Sequence, residues 1–338
     1  LQLVDLDGDG EEEALAFLRR GSDERALKIY IYERTESGYA QSAVIEGSGT
    51  AIYSVDYRDL DGDGRQEILV SWKVGPEVQA LSVFTLRLGT PRELMNSSYI
   101  RYAAADLDGD GREEILTFRA DEQGAGTADY YAWTGDGTLA PAGVARLSMT
   151  MAELSAGQVL SGTLRGGEPA VFATGVSDSR IQVTDVLALR QGELGNLTVS
   201  DSTGVSREIY RYLGLFPTDI DGDGVTELPV PQDLLPSGDT ESGCRIRWRS
   251  YDAAGTGEDA LSTYHALADG WYLTLPESWG DALSVWTEGA GSDASLASFG
   301  IGTGDGRIEI LRIYTFSGEN RETLAAKGGR VLLSREGE

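Results

Sequence analysis

The chain has 338 residues, of which 55 are acidic and 28 basic, so its formal net charge is −27 at pH 7. This acidity argues against nucleic acid and against an anionic membrane surface as partners. A hydrophobic fraction of 41% supports a substantial core, and no apolar run approaches the roughly 20 residues of a transmembrane span.

Glycine and aromatic residues are abundant in the chain, with 44 Gly, 15 Tyr and 6 Trp. Many turns between aromatic-rich segments predict an all-β protein with many short strands. Cys244 is the single cysteine, so no internal disulfide forms, and we expect a small buried side chain there rather than a reactive thiol.

One acidic phrase of nine residues occurs four times, at residues 5–13, 59–67, 106–114 and 219–227. In each copy Asp stands at positions 1, 3 and 5, Gly at positions 4 and 6, and Glu at position 9. Four carboxylates this close together repel one another unless a hard cation lies between them, and the glycines let the chain curl around it. The phrase therefore predicts a calcium loop.

The loop differs from an EF-hand, which needs a bidentate Glu at position 12 and a helix on each side. Position 12 is Ala16, Val70, Thr117 or Val230, and the flanking segments are β-rich. We predict about four structural Ca²⁺ ions, with the position-9 Glu capping each site as a bidentate ligand. The predicted side-chain ligands are Asp5, Asp7, Asp9, Glu13, Asp59, Asp61, Asp63, Glu67, Asp106, Asp108, Asp110, Glu114, Asp219, Asp221, Asp223 and Glu227, and the predicted backbone carbonyl ligands are those of Glu11, Arg65, Arg112 and Val225.

The repeat period predicts a fifth, degenerate copy near residue 160. The first Asp residues of the loops are separated by 54, 47 and 113 residues, and the last interval holds two periods. At the expected place the ligand positions are Leu160, Gly162 and Leu164, and Glu168 alone is retained. We therefore expect the fold unit there without the metal.

Each period contains segments for about four strands. In the second period these are a lead-in strand at Ala51–Tyr57, a strand leaving the loop at Glu67–Trp72, and a hairpin of Leu81–Leu88 with Arg92–Ser98. Comparable hairpins are Leu27–Ile31 with Tyr39–Val44, Tyr130–Trp133 with a strand from Leu139, and Val183–Leu189 with Leu194–Val199. Four strands in about fifty residues make one β-propeller blade, so we predict about five blades. Large side chains just after the loops are expected to pack between blades, namely Phe17, Trp72, Phe118 and Phe172.

From about residue 265 the chain has no intact acidic loop, so we divide it into a propeller of residues 1–264 and a segment of residues 265–338. That segment predicts strands at Leu283–Thr287 and Ile308–Phe316, a helix at Glu319–Lys327 and a last strand at Arg330–Ser334. It forms either a small α+β module or diverged blades that close the ring and raise the count to as many as seven.

The four loops resemble the FG-GAP and VCBS-type repeats of integrin α-subunit propellers and of secreted or lipid-anchored bacterial proteins of unknown function. The resemblance covers roughly residues 1–260. It implies a calcium-stabilised propeller located outside the cell or at its surface, with a lipid anchor in a segment outside this chain as one option. The chain lacks the Phe-Gly…Gly-Ala-Pro signatures of integrins and has Glu rather than Asp at position 9, so no integrin ligand site is transferred to it.

No catalytic constellation is recognisable in the sequence. His265 is the single histidine, and neither a Gly-x-Ser-x-Gly elbow nor a sialidase Asp box is present. Two hypotheses stay open. The first is a monomeric, non-catalytic binding or scaffold protein with a protein or glycan ligand. The second is a carbohydrate-active or other secreted hydrolase, which a cleft with two carboxylates outside the metal loops and an exposed Trp would favour.

Overall fold

The computed structural model describes residues 1–19, 27–47, 49–75, 78–87, 89–200, 202–232, 243–289, 294–302 and 306–326. The chain divides into two compact units, one of Leu1–Thr226 with Tyr251–Gly257 and one of Glu227–Ser250 with Glu258–Glu338. Both α-helices among the described residues have five residues, too few to span a membrane.

The first unit consists of four consecutive antiparallel sheets, and the strands of each sheet follow chain order. Short connections between successive antiparallel strands make each sheet a meander, which is the form of a propeller blade. The first sheet contains β1 (Gln2–Val4), β2 (Glu13–Arg19), β3 (Leu27–Thr35) and β4 (Gly38–Glu46), and the second contains β5 (Ala51–Arg58), β6 (Glu67–Lys73), β7 (Gln79–Arg87) and β8 (Thr90–Tyr99). The third contains β9 (Arg101–Ala105), β10 (Glu114–Ala120), β11 (Gly126–Trp133) and β12 (Leu139–Arg146). The fourth contains β13 (Gln158–Thr163), β14 (Pro169–Val176), β15 (Ile181–Arg190) and β16 (Glu193–Asn196), and β17 (Ile209–Arg211) also pairs with β15.

The strands that follow the second and third acidic loops are buried on both faces. In β6 every residue from Glu67 to Trp72 is buried, because one face packs on the preceding sheet and the other on the next. This explains why these segments read as nearly continuous apolar runs, whereas the lead-in strand β5 alternates between half-buried and exposed residues.

Three apolar clusters fill the spaces between successive sheets of this unit. Trp72 is fully buried in the cluster between the first and second sheets, together with Ile29 and Ile45. Phe118 is fully buried between the third and fourth sheets, against Val171 and Leu187. Phe172 is buried as well, and Phe17 is half-buried at the first of these contacts. The predicted packing of large residues between sheets is therefore confirmed for Trp72 and Phe118.

The predicted hairpins and the degenerate fold unit are present. β3 pairs with β4, β7 with β8, β11 with β12 and β15 with β16. The sheet of β13–β16 stands where the fifth copy was expected, and Glu168 is exposed in the turn before β14. A short helix that we had not predicted, α1 (Met151–Ser155), precedes this sheet, and it begins with a capping box between Thr150 and Glu153.

The second unit contains one four-stranded and one three-stranded antiparallel sheet. The first has β18 (Leu228–Gln232), β19 (Cys244–Tyr251), β20 (Gly257–Ala266) and β21 (Trp271–Leu275), and the second has β22 (Leu283–Gly289), β23 (Ala294–Ile301) and β24 (Ile308–Phe316). A 3₁₀ segment, Glu277–Ala282, joins the two sheets, and a one-turn helix, α2 (Arg321–Ala325), lies within the predicted helix. The predicted last strand, Arg330–Ser334, lies outside the described residues.

The predicted fold class is confirmed, because the described residues form six consecutive antiparallel sheets of blade type. The division into residues 1–264 and 265–338 stays a prediction. That boundary falls within β20, whose residues Ser262–Ala266 pair with β21.

Candidate metal centre

The first three acidic loops lie in equivalent places, between the first and second strands of the first three sheets. The fourth loop directly precedes β18. Position 2 of the first three loops is a buried leucine, Leu6, Leu60 or Leu107, which anchors the loop in the apolar cluster beneath it. The Asp residues at positions 1, 3 and 5 are thereby held near the surface.

The first Asp of each loop holds the loop backbone in its curled form. In the first loop, the Asp5 carboxylate accepts hydrogen bonds from the amides of Gly8 at 2.8 Å and Gly10 at 2.9 Å. Both glycines have positive φ angles, 76° and 88°, which explains why glycine recurs at positions 4 and 6. The corresponding bonds from the position-6 glycine amides to Asp59, Asp106 and Asp219 measure 2.9, 3.0 and 2.9 Å.

The Glu at position 9 is buried beneath the loop. Glu67 and Glu114 are each 1% exposed, and Glu13 is 6% exposed. One oxygen of each carboxylate, Oε2, accepts a hydrogen bond from the backbone amide of the position-2 leucine, at 3.0, 2.9 and 2.7 Å respectively. Burial raises the pKa of Glu67 and of Glu114 to about 7, and the neighbouring Asp charges add to the effect. The pKa of Glu13 is raised for the same main reason.

In each of these three loops the structure brings together the Asp at position 1, the Asp at position 3 and the Glu. One carboxylate oxygen from each residue lies within 4.8 Å of the other two in the groups Asp5–Asp7–Glu13, Asp59–Asp61–Glu67 and Asp106–Asp108–Glu114. Oxygens that bind one Ca²⁺ at 2.3–2.6 Å lie at most about 5 Å apart, so these donor sets fit that ion. An all-oxygen, all-carboxylate set also suits a hard cation rather than zinc.

The Asp at position 5 lies outside these groups of three. Asp9, Asp63 and Asp110 each accept a hydrogen bond from the backbone amide two residues ahead, at 2.7, 3.0 and 2.9 Å. Asp110 is also paired with the Arg112 guanidinium. Their predicted role as ligands stays a prediction, as do the backbone carbonyl ligands at position 7.

An arginine from the neighbouring hairpin contacts the second loop. Arg87 Nη2 donates to Asp61 Oδ2 at 3.0 Å and lies 3.8 Å from Asp63 Oδ2. The Arg87 side chain is 59% exposed, so it is free to move away when another cation neutralises the two carboxylates.

The fourth loop repeats the internal hydrogen bonds of the others. Asp219 accepts from the amides of Gly222 and Gly224 at 2.7 and 2.9 Å, and Asp223 accepts from Val225 at 2.7 Å. Asp221 Oδ1 accepts from the amide of Asp223 at 3.3 Å. Glu227 is 1% exposed and is the first residue of the second unit.

A cleft of about 250 Å³ in the second unit is a site that our sequence prediction missed. Its lining includes Arg245, Arg247, Asp259, Glu277 and Trp279. Asp259 accepts from Arg247 at 3.0 Å, and on its other oxygen from Arg249 at 3.1 Å. The sequence signal for this site was the alternation of arginine at 245, 247 and 249, which places three cationic groups on one face of β19.

Arg245 is the cationic group of the cleft with the weakest partners. Its side chain is 16% exposed, and its Nε is buried without a hydrogen-bond partner. Nη1 is 3.4 Å from the carbonyl of Gly280 and 3.4 Å from the carboxylate of Asp281, which is 94% exposed. A guanidinium held in this way has capacity to bind a further anion.

His265 is a core side chain. It is 7% exposed, stacks on Tyr272 with ring centroids 5.2 Å apart, and has Nε2 at 2.9 Å from Thr263 Oγ1. Burial lowers its pKa to about 4, so the ring is neutral at pH 7.

Part of the chain is similar to a known repeat family. Residues 5–70, which span the first two loops, match the FG-GAP-like repeat family. This match confirms the predicted resemblance for that part of the chain. No curated protein matches the chain by sequence.

Two solved structures are similar to this chain at a low level. A protein from Lactobacillus plantarum is 11% identical with a TM-score of 0.30, over 89% of this chain and 82% of that one. TolB from Acinetobacter baumannii is 13% identical with a TM-score of 0.29, over 94% of this chain. The chain spans 65% of that TolB structure. These scores are too low to support an argument about function.

Proposed function

Because residues 5–70 match the FG-GAP-like repeat family, we propose that this protein is a calcium-stabilised binding or scaffold protein that acts outside the cell or at its surface. The observation that carries the proposal is the buried Glu of each of the first three loops, which faces two Asp carboxylates within 4.8 Å. A buried carboxylate among others is costly without a counter-ion, and extracellular calcium is present at concentrations that such loops bind.

Calcium has a structural role in this proposal. Within each of the first three loops the grouped oxygens come from nine consecutive residues, and the Glu reaches up from the core to close the loop. A calcium ion there ties the strand before the loop to the strand after it, which stabilises the folded state by mass action.

The cleft of the second unit is where we propose that a ligand binds. Arg245 and Arg247 supply positive charge, and Trp279 supplies a flat apolar side chain that is half-buried in the cleft wall. This combination suits a carboxylate-bearing glycan, since guanidinium groups bind carboxylates in pairs of hydrogen bonds and sugar rings stack on indole. The strongly acidic remainder of the chain repels such a ligand, so binding is confined to this cleft.

The hydrolase hypothesis is the second candidate, because the same cleft is lined by two carboxylates, Asp259 and Glu277, that belong to no metal loop. Both oxygens of Asp259 already accept hydrogen bonds from Arg247 and Arg249. For Asp259 to contact a glycosidic oxygen or an attacking water, one of these arginines would have to be displaced. This geometry favours binding over hydrolysis.

Glycan binding to the cleft is tested by isothermal calorimetry with an oligogalacturonate and with a neutral oligosaccharide of the same length. We expect binding of the anionic oligomer alone, and a loss of at least tenfold in affinity in Arg245→Gln and in Trp279→Ala. Arg312→Gln is the matched control, because Arg312 belongs to the same unit, pairs with Glu309 and lies outside the cleft lining. Equal binding by all variants would contradict the assignment of the cleft, and release of reducing ends during incubation would favour the hydrolase.

A further inference from the structure

The peptide groups of Leu6 and Leu60 join neighbouring acidic loops to one another. The Leu6 amide donates to Glu13 of its own loop at 2.7 Å, and the Leu6 carbonyl accepts from the amide of Gln66, next to Glu67 of the second loop, at 2.8 Å. Leu60 repeats this arrangement one sheet further along. Its amide donates to Glu67 at 3.0 Å, and its carbonyl accepts from Glu113, next to Glu114, at 2.7 Å. The buried Glu residues of the three loops are thereby connected through the backbone amides and carbonyls of Leu6 and Leu60.

The surface parts of the same loops also touch. A Cβ atom on Gly8 would lie 2.5 Å from the carbonyl oxygen of Gly64, and one on Gly62 would lie 3.2 Å from that of Gly111. Position 4 of one loop therefore abuts position 6 of the next. Gly8 and Gly64 donate to Asp5 and Asp59 respectively, so this contact lies between the residues that hold the first Asp of each loop.

The third and fourth loops lack this forward contact. A Cβ atom on Gly109 or on Gly222, the position-4 glycines of those loops, would meet nothing within 4 Å. In chain order the sheet β13–β16, which has no acidic loop, lies between the third and fourth loops. The contacts described here therefore join the first three loops.

From these contacts we infer that the first three loops bind calcium with positive coupling, and that the second loop is the centre of the coupling. The inference rests on the proposed function, in which each loop binds one calcium ion. An ion in the second loop fixes Glu67 and Asp59, and with them the amides of Gln66 and Gly64 against the first loop. The first loop is then closer to its binding geometry, so it loses less conformational entropy when it binds its own ion. By reciprocity, an ion in the first loop raises the calcium affinity of the second loop by the same factor.

The first test removes the central site in the intact chain. Calcium titrations are followed by NMR through the position-6 glycine amides, Gly10, Gly64, Gly111 and Gly224, which report on the four loops separately. We expect Asp61→Asn to abolish binding in the second loop and to weaken binding in the first and third loops at least fivefold. Asp221→Asn, the same change in the fourth loop, is the matched control and is expected to leave the first three loops within a factor of two of wild type.

The second test uses alanine at position 4, where the loops share similar φ angles of 76°, 72° and 77° at Gly8, Gly62 and Gly109. Each alanine therefore introduces the same kind of backbone strain in its own loop, and the variants differ in the contact with the next loop. We expect Gly8→Ala to weaken calcium binding in the second loop as well as the first. Gly109→Ala is expected to weaken binding in the third loop, with a smaller effect on the second loop than Gly8→Ala has.

The outcomes separate the coupling from the proposed function. Absence of calcium binding in the wild-type chain would overturn both. Binding at four sites whose affinities do not change when a neighbouring loop is disabled would overturn the coupling alone. Loss of folding in Gly8→Ala is detected by its methyl spectrum, and the Asp61→Asn titration then decides the question by itself.

Discussion

Removal of calcium is expected to lower the melting temperature of the first unit by roughly 10–20 °C. If each loop binds with a dissociation constant of about 10⁻⁴ M, calcium at about 2 mM stabilises the folded state by about 1.8 kcal/mol per site. Three loops then contribute about 5 kcal/mol, and each kcal/mol moves the melting temperature of a domain of this size by about 2–4 °C. The buried Glu residues add to the effect, since they are left facing the Asp carboxylates when the ion leaves.

Scanning calorimetry in 2 mM calcium and in excess chelator measures this difference. Asp61→Ala is expected to lower the melting temperature in calcium by part of the full amount and to respond less to chelator. Asp178→Ala, which removes an exposed Asp from a hairpin turn of the fourth sheet, serves as the control and should melt like wild type in both conditions. A melting curve that does not move in excess chelator would contradict the stabilising role of calcium.

Acidification from pH 7.5 to pH 5.5 is expected to weaken calcium binding in the second and third loops by about 25-fold each. Burial raises the pKa of Glu67 and Glu114 to about 7, so in the calcium-free protein both carboxyl groups hold a proton at pH 5.5 and calcium must displace it. For a single proton, the affinity falls in proportion to the ionised fraction, which gives this factor.

The pKa shifts also fix the sign of the effect on stability. Because the folded-state pKa of these two groups lies above the ordinary value of 4.5, they favour folding of the calcium-free protein most below pH 4.5. That contribution is lost as the pH rises through about 7. The difference in melting temperature between calcium and chelator should therefore grow from pH 5.5 to pH 7.5. Calcium affinities at Gly64 and Gly111 that are equal at both pH values would contradict the buried, proton-binding state of the two Glu residues.

The parts of the fold that repeat in sequence were predictable from the sequence. The acidic phrase marks the turn between the first two strands of a sheet, and the burial of Trp72 follows from its fixed distance after that phrase. The fourth sheet was predictable although it lacks the Asp residues, because apolar pattern and spacing alone specify a blade. Helix α1 was missed because it has only five residues, yet Thr150 and Glu153 carried the signal of a capping box.

The contacts between loops were not predictable, because they depend on how neighbouring sheets are placed relative to one another. Nothing local to Leu6 indicates that its carbonyl accepts a hydrogen bond from Gln66, sixty residues away. The same holds for the cleft, which is lined both by Trp279 on the 3₁₀ segment and by Arg245 on β19. The three alternating arginines were visible in the sequence, but their partner Asp259 is one of 55 acidic residues and has no local feature that identifies it.

Direct measurement of bound calcium tests the central claim most simply. Chelator-stripped protein is dialysed against 2 mM calcium, and the calcium bound to wild type and to Asp61→Asn is measured by atomic emission. If one calcium ion binds in each acidic loop, the wild-type chain holds about four ions. The variant then holds at least one ion fewer, because its second loop is disabled. A wild-type chain that binds no calcium above the level of the dialysis buffer would contradict the account.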